Sequence, residues 1–264
     1  MKLADIGVNL ADKRFNADLD EVLDRAREAG VACQLITGTS IEGSERAAAL
    51  ADAYPDLYAT AGVHPHQAST FDRDALSQLR ALSSQARVVA IGETGLDFNR
   101  DFSPRPQQEK AFAEQLALAC EQQLPVFLHQ RDAHERFLPI LKEQRDQLPG
   151  AVVHCFTGTR EELFDYLDLD CHIGITGWIC DERRGQALQA LAHNIPLNRL
   201  LLETDSPYLL PRDLPQKPFR SGRNEPVFLP WIAQRVADCY GQPLATIASH
   251  SWENTISLFR LPAS

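Results

Sequence analysis

Short apolar runs alternate with amphipathic stretches of helical period from one end of the chain to the other. Leu3 to Leu10, Ala32 to Thr37, Leu57 to Val63, Val88 to Phe98, Pro125 to His129, Ala151 to Phe156, His172 to Thr176 and Arg199 to Thr204 read as strands. Val-Val-Ala-Ile at the head of the fourth carries no polar alternation, the pattern of a strand buried on both faces. Between the strands the period becomes helical. Asp18 to Ala29 places Leu19, Val22, Leu23 and Ala26 on one stripe, with Gly30 to close it. Further helices are expected over Glu42 to Ala53, Asp72 to Ser84, Pro106 to Gln122, Ala133 to Gln144 and Asp181 to His193, and one behind the capping box Thr159 and Glu162. Two more, Val227 to Tyr240 and Leu244 to Leu258, follow a proline-rich loop from Pro207 to Pro226. Eight strands alternating with helices and no composition break predict an α/β chain forming one domain over residues 1–264, a (β/α)8 or TIM barrel. An open doubly wound sheet is the competing architecture, and no Gly-rich fingerprint follows the first strand to support it.

The carboxyl ends of these strands carry the polar residues. In order they present Asp5 with Asn9, Thr37, His64 with His66, Glu93, His129, His154, Thr176, and Asp205. In a parallel barrel those ends share one rim, where active sites sit. A single histidine at the end of an apolar strand is more often a hydrogen-bonded core residue than a ligand. Four ligand-type residues, Glu93, His129, His154 and Asp205, each preceded by an apolar run, favour a divalent cation, with Glu93 suited to bridge a pair. Loop residues add chemistry for anions. Arg131 stands two residues beyond His129, Thr157 to Thr159 open a capped helix, and Arg183, Arg184, Arg212, Lys217, Arg220 and Arg223 follow the last two strands. That basic group reads either as a local funnel for a phosphodiester strand or as a solvated loop neutralising nearby acids. Phe98, Phe102, Trp178 and Tyr208 lie beside it as stacking or packing residues.

Composition narrows the classes. A net charge of -10 and a pI near 5.3 argue against a broad basic nucleic-acid face, though not against a small phosphate site built on metal. The six cysteines include no C-x-x-C pair, which fits free thiols in a reducing compartment. Charge interrupts the N-terminal stretch at Asp5, and no apolar run approaches the roughly 18 residues of a membrane span. A cytoplasmic protein without a membrane partner is expected.

The motifs G-V-H-P-H, I-G-E-T-G-L-D-F, V-F-L-H-Q-R-D-A, V-V-H-C-F-T-G, E-T-D-S-P-Y-L-L-P and R-N-E-P, spread from Asp5 to Phe259, together resemble the TatD-type metal-dependent hydrolases, deoxyribonucleases with a TIM-barrel fold. The resemblance implies a 3′ to 5′ exonuclease acting on single-stranded DNA and RNA, dependent on Mg2+ and with a part in repair of oxidative DNA damage; a monomer is expected. It implies Glu93, His129 and His154 as metal ligands, Asp205 as ligand or base, and His64 as a phosphate or water contact; from their places on the rim and its loops, His66, Arg131 and Arg223 are expected at the substrate. Mn2+ or Zn2+ can replace Mg2+, since imidazole sites hold them more tightly. Most of the wider family begins D-x-H-x-H, whereas this chain has Gly7 and Asn9 in place of the two imidazoles.

Three other readings share parts of the pattern. One is an amidohydrolase, which often bridges its metals with a carboxylated lysine; the lysines here fall away from strand ends. Another is hydrolysis of an aminoacyl ester on tRNA or of a small ester or amide. The third is a binding protein decayed from such an enzyme, suggested by the loss of H-x-H.

Overall fold

The computed structural model describes residues 1–215 and 222–262. Its strands are β1 Leu3–Val8, β2 Val31–Ile36, β3 Leu57–Ala61, β4 Val88–Asp97, β5 Val126–Arg131, β6 Ala151–Val153, β7 His172–Ile175 and β8 Leu200–Leu202. They form one eight-stranded sheet in sequence order. Every neighbouring pair is parallel. Helices Leu19–Glu28, Ile41–Ala53, Arg73–Ser83, Arg105–Gln122, His134–Gln144, Arg160–Asp168 and Gln186–Ala192 fall between successive strands, and Leu229–Tyr240 and Leu244–Leu258 follow β8. This is the TIM barrel the alternation predicts. No described helix is long and apolar enough to cross a membrane, and all six cysteines are free.

Two apolar clusters follow from burying strands on both faces. The larger joins the outer strand faces to the helices, through residues such as Val22, Leu79, Phe112, Phe137 and Leu163. The smaller, including Ile6, Leu35, Val89, Phe127, Val152 and Leu201, gathers strand residues with Leu258, Phe259 and Leu261 of the chain's end. Phe127 stacks on His154 at 4.8 Å between centroids. The apolar filling thus runs up to the functional rim and lowers the dielectric beneath it.

β1 and β8 close the barrel without a regular ladder. The Asp205 N–H donates to the Gly7 carbonyl at 2.8 Å and the Asn9 N–H to the Ser206 carbonyl at 2.7 Å. The Asp5 carboxylate, fully buried, accepts from the Thr204 N–H at 2.9 Å and from the Thr204 hydroxyl. Burial pushes the Asp5 carboxyl up to about 8 from an ordinary 3.8, its hydrogen bonds notwithstanding. Between about pH 4 and pH 8 the native chain therefore keeps a proton that the unfolded chain has lost. Stability present at acid pH declines through that window and levels off above it. Asp5→Asn, neutral at every pH, should lose less melting temperature than the unsubstituted chain between about pH 6 and pH 9. Identical profiles in thermal melts would remove Asp5 as the cause.

Local chemistry sets where elements end. The expected helix from Asp181 to His193 is shorter, Gln186–Ala192, because the Asp181 carboxylate takes the Arg183 and Arg184 N–H groups at 3.0 and 3.1 Å and holds a turn there. The last strand stops at Leu202 because Thr204 turns its backbone and hydroxyl to Asp5.

Candidate metal centre

β4 is the long strand. Its period of two puts Glu93 and Asp97 on one face, and both are buried. Glu93 Oε1 is met by His129 Nδ1 at 2.8 Å, His154 Nε2 at 2.9 Å and His64 Nε2 at 3.4 Å. Three imidazoles from the ends of β3, β5 and β6 thus point at one carboxylate oxygen. Asp97 Oδ2 receives the far nitrogen of His129 at 3.3 Å and His66 Nε2 at 2.8 Å. His154 Nδ1 meets Glu203 Oε2 at 3.1 Å. Asp205 lines the same cavity, its Oδ1 accepting from Asn9 Nδ2 at 3.0 Å.

The charges follow from those contacts. Burial pushes Glu93 up, but the imidazoles of His154, His64 and His129 more than offset it and hold the carboxyl well below its usual range. Burial alone would lower His129 and His154. Carboxylates on both sides of each ring win, Asp97 and Glu93 for His129, Glu93 and Glu203 for His154, and both pKa values rise. For Asp205 burial dominates over the attraction of His154, and its carboxyl is pushed up to about 7. His64 differs from the other two. Burial drives it down to about 4, and its Nδ1 accepts the His66 N–H at 3.1 Å. The proton of this neutral ring therefore sits on Nε2, which faces Glu93 as a donor.

His64, Glu93 and His129 place ligand atoms within 4.8 Å of one another, a group able to hold a metal ion. The donor set fits a divalent cation. His129 and His154 each lie between two carboxylates, so an added cation there displaces protons instead of entering a neutral pocket. Each of these rings also has an outer carboxylate, Asp97 or Glu203, to orient it.

A family model described as TatD related DNase matches residues 4–260. The chain belongs to this family. The 3′-5′ ssDNA/RNA exonuclease TatD of Cronobacter sakazakii is 54% identical over 260 residues, 98% of each chain. The relative of the same name from Dickeya dadantii is 54% identical over 97% of both. Among solved structures, the TatD homologue YjjV of Escherichia coli superposes with a TM-score of 0.88 at 32% identity, covering 98% of each chain.

Within this TatD-family barrel, the rim brings His64, His129 and His154 onto Glu93, with His66 bonded to Asp97 and Asp205 facing the cavity. Arg131 is exposed and lines it. Arg223 does not line this cavity. Its guanidinium is bound by Asp18 at 2.8 and 2.6 Å and Glu225 at 2.6 Å and lies over Phe15, so it braces the loop after β8 against the first helix. The capped helix at Thr159 spends amides on itself, since the Thr159 N–H donates to Glu162 and the Glu162 N–H to Thr159. Lys217 and Arg220 lie outside the described residues. Asp97 and Glu203 are site carboxylates the ligand pattern passed over. The signal for both was alternation, as each stands an even number of places from a chosen residue, Glu93 or Asp205.

Proposed function

We propose that this chain is a metal-dependent 3′-5′ exonuclease that hydrolyses phosphodiester bonds of single-stranded DNA and RNA. Full-length identity to exonucleases of that name supports the substrate and polarity. The observation that carries the chemistry is the convergence of three imidazoles on Glu93 Oε1, at the rim of a cavity of about 750 Å3. Glu93, His129 and His154 are the residues to hold a divalent cation, Mg2+ in the cell, with Asp205 as a further ligand or the base. When bound, the cation offsets charge on the phosphoryl oxygens and acidifies water. His64 donates from Nε2 to a phosphoryl oxygen, which its tautomer suits better than ligation. Arg131 and His66 bind the substrate phosphate from the cavity wall. Asp205, poised near neutrality, accepts the proton of the attacking water. A monomer suffices because one chain supplies every residue named, and the free thiols suit the cytoplasm. Trimming of 3′ ends is chemistry that repair of damaged DNA can use.

End-labelled single-stranded DNA incubated with Mg2+ should shorten stepwise from its 3′ end, and EDTA should stop it. Digestion that ignores the chelator, or none with any divalent ion, overturns the reading. Asp205→Asn keeps the Asn9 contact within reach and removes the base, so kcat should fall about a hundredfold with KM little changed. Steady-state kinetics on a short oligonucleotide measure this, and an unchanged kcat would take Asp205 out of the proton transfer.

A further inference from the structure

A second cleft, of about 830 Å3, adjoins the catalytic cavity and shares Trp178, Arg184 and Leu209 with it. Gly177, Trp178 and Asp181 to Arg184, after β7, and Leu209 to Arg212, after β8, line it. Asp181 organises this edge. Only 3% exposed, it accepts two backbone N–H groups and binds Arg184 Nε at 2.9 Å and Arg212 Nε at 3.2 Å. One buried carboxylate thereby fixes two guanidiniums from two loops, and both remain about half exposed, 53% and 51%. Arg183 adds a third cation, with no ion pair among the described residues. The Arg184 guanidinium lies 4.4 Å from the Trp178 ring centroid, and that half-buried ring stands where the two clefts meet. Three arginines against Asp181 and Glu182 leave the described lining of this cleft with a net charge of +1, in a chain of net charge -10.

We propose that the second cleft is the track for the single strand upstream of the terminal nucleotide, with phosphates on Arg183, Arg184 and Arg212 and an unpaired base against Trp178. Guanidiniums beside an aromatic platform suit a flexible strand of any sequence, because every base has a stacking face and every linkage a phosphate. The ring is recessed between two clefts, so a base must be free of its complement to reach it. The proposal rests on the exonuclease reading and adds to it where the remainder of the substrate lies.

Equilibrium binding in EDTA, where nothing is digested, tests it without relying on activity. A fluorescent single-stranded decamer serves as probe and an unlabelled dinucleotide as competitor. The unsubstituted protein should bind the decamer at least about tenfold more tightly than the dinucleotide. In Arg183→Gln/Arg212→Gln, decamer affinity should fall about tenfold and dinucleotide affinity by less than about twofold. The slope of log K against log salt should shrink by about 1.4, at about 0.7 for each single-strand phosphate that is no longer neutralised. Arg183→Gln alone, which leaves the Asp181 anchor intact, should give about half that change in slope. Decamer binding should quench tryptophan fluorescence, and Trp178→Phe should abolish the quench, since the protein's other two tryptophans lie elsewhere. Equal affinity for both lengths, or equal weakening of both by the double substitution, would overturn the track. A protein that binds by length yet digests nothing with any divalent ion would instead defeat the exonuclease reading and leave the track standing.

Discussion

Glu93→Gln should lower exonuclease turnover by at least about a hundred- to a thousandfold, the loss expected when a group that stabilises transition-state charge is removed. The substitution keeps the shape of the side chain and removes the charge on which His64, His129 and His154 converge. Without that charge the site loses the anionic oxygen that a cation needs between the rings. Metal affinity, read by calorimetry, should collapse together with kcat. The fold should survive, because His129 keeps Asp97 and His154 keeps Glu203 as acceptors, so neither buried ring is stranded. Circular dichroism and a melting curve close to the unsubstituted protein's would separate this outcome from unfolding. Digestion of labelled single-stranded DNA by Glu93→Gln at the ordinary rate would end the case for Glu93 as the centre of the site.

The barrel was legible because its signal is repeated. Each strand is an apolar run that stops at a polar residue, and eight repeats of that unit admit few architectures. The same punctuation exposed Glu93, His129 and His154, which sit at or just past the ends of such runs. Contacts made across the fold were not legible. Arg223 reads only as one cation of a basic loop, and its partner Asp18 stands 205 positions away, beyond the reach of any local pattern. His64 is a plausible ligand by spacing alone, and only the His66 N–H lodged on its Nδ1 identifies the nitrogen that carries the proton. The shortened seventh helix has the same origin, for Asp181 reads as a helix start but serves as the hub of a turn that also anchors Arg212.

Glu203→Ala should destabilise the protein by about 3–5 kcal/mol, the cost of breaking a buried charged pair, and weaken metal binding by about 10- to 100-fold through its effect on a ligand's orientation. Glu203 is fully buried and accepts from His154 Nδ1 and from the Cys155 N–H. Its carboxylate fills space left by two glycines on β1 and β7, the strands on either side of β8. A methyl at Gly7 would overlap Glu203 Oε2, and one at Gly174 would overlap Oε1. The position where the wider family carries a first imidazole is thus glycine here, and the room beside it belongs to Glu203. Removing the carboxylate leaves a cavity, an unpaired backbone N–H and a ring freed to turn away from Glu93. Gly174→Ala should reproduce the weakened metal binding from the other side, by displacing a carboxylate that remains present. Denaturant midpoints and metal titrations of the two variants provide the check. If Glu203→Ala matched the unsubstituted chain in both, His154 would be held by its own packing on Phe127, and Glu203 would have no part in positioning it.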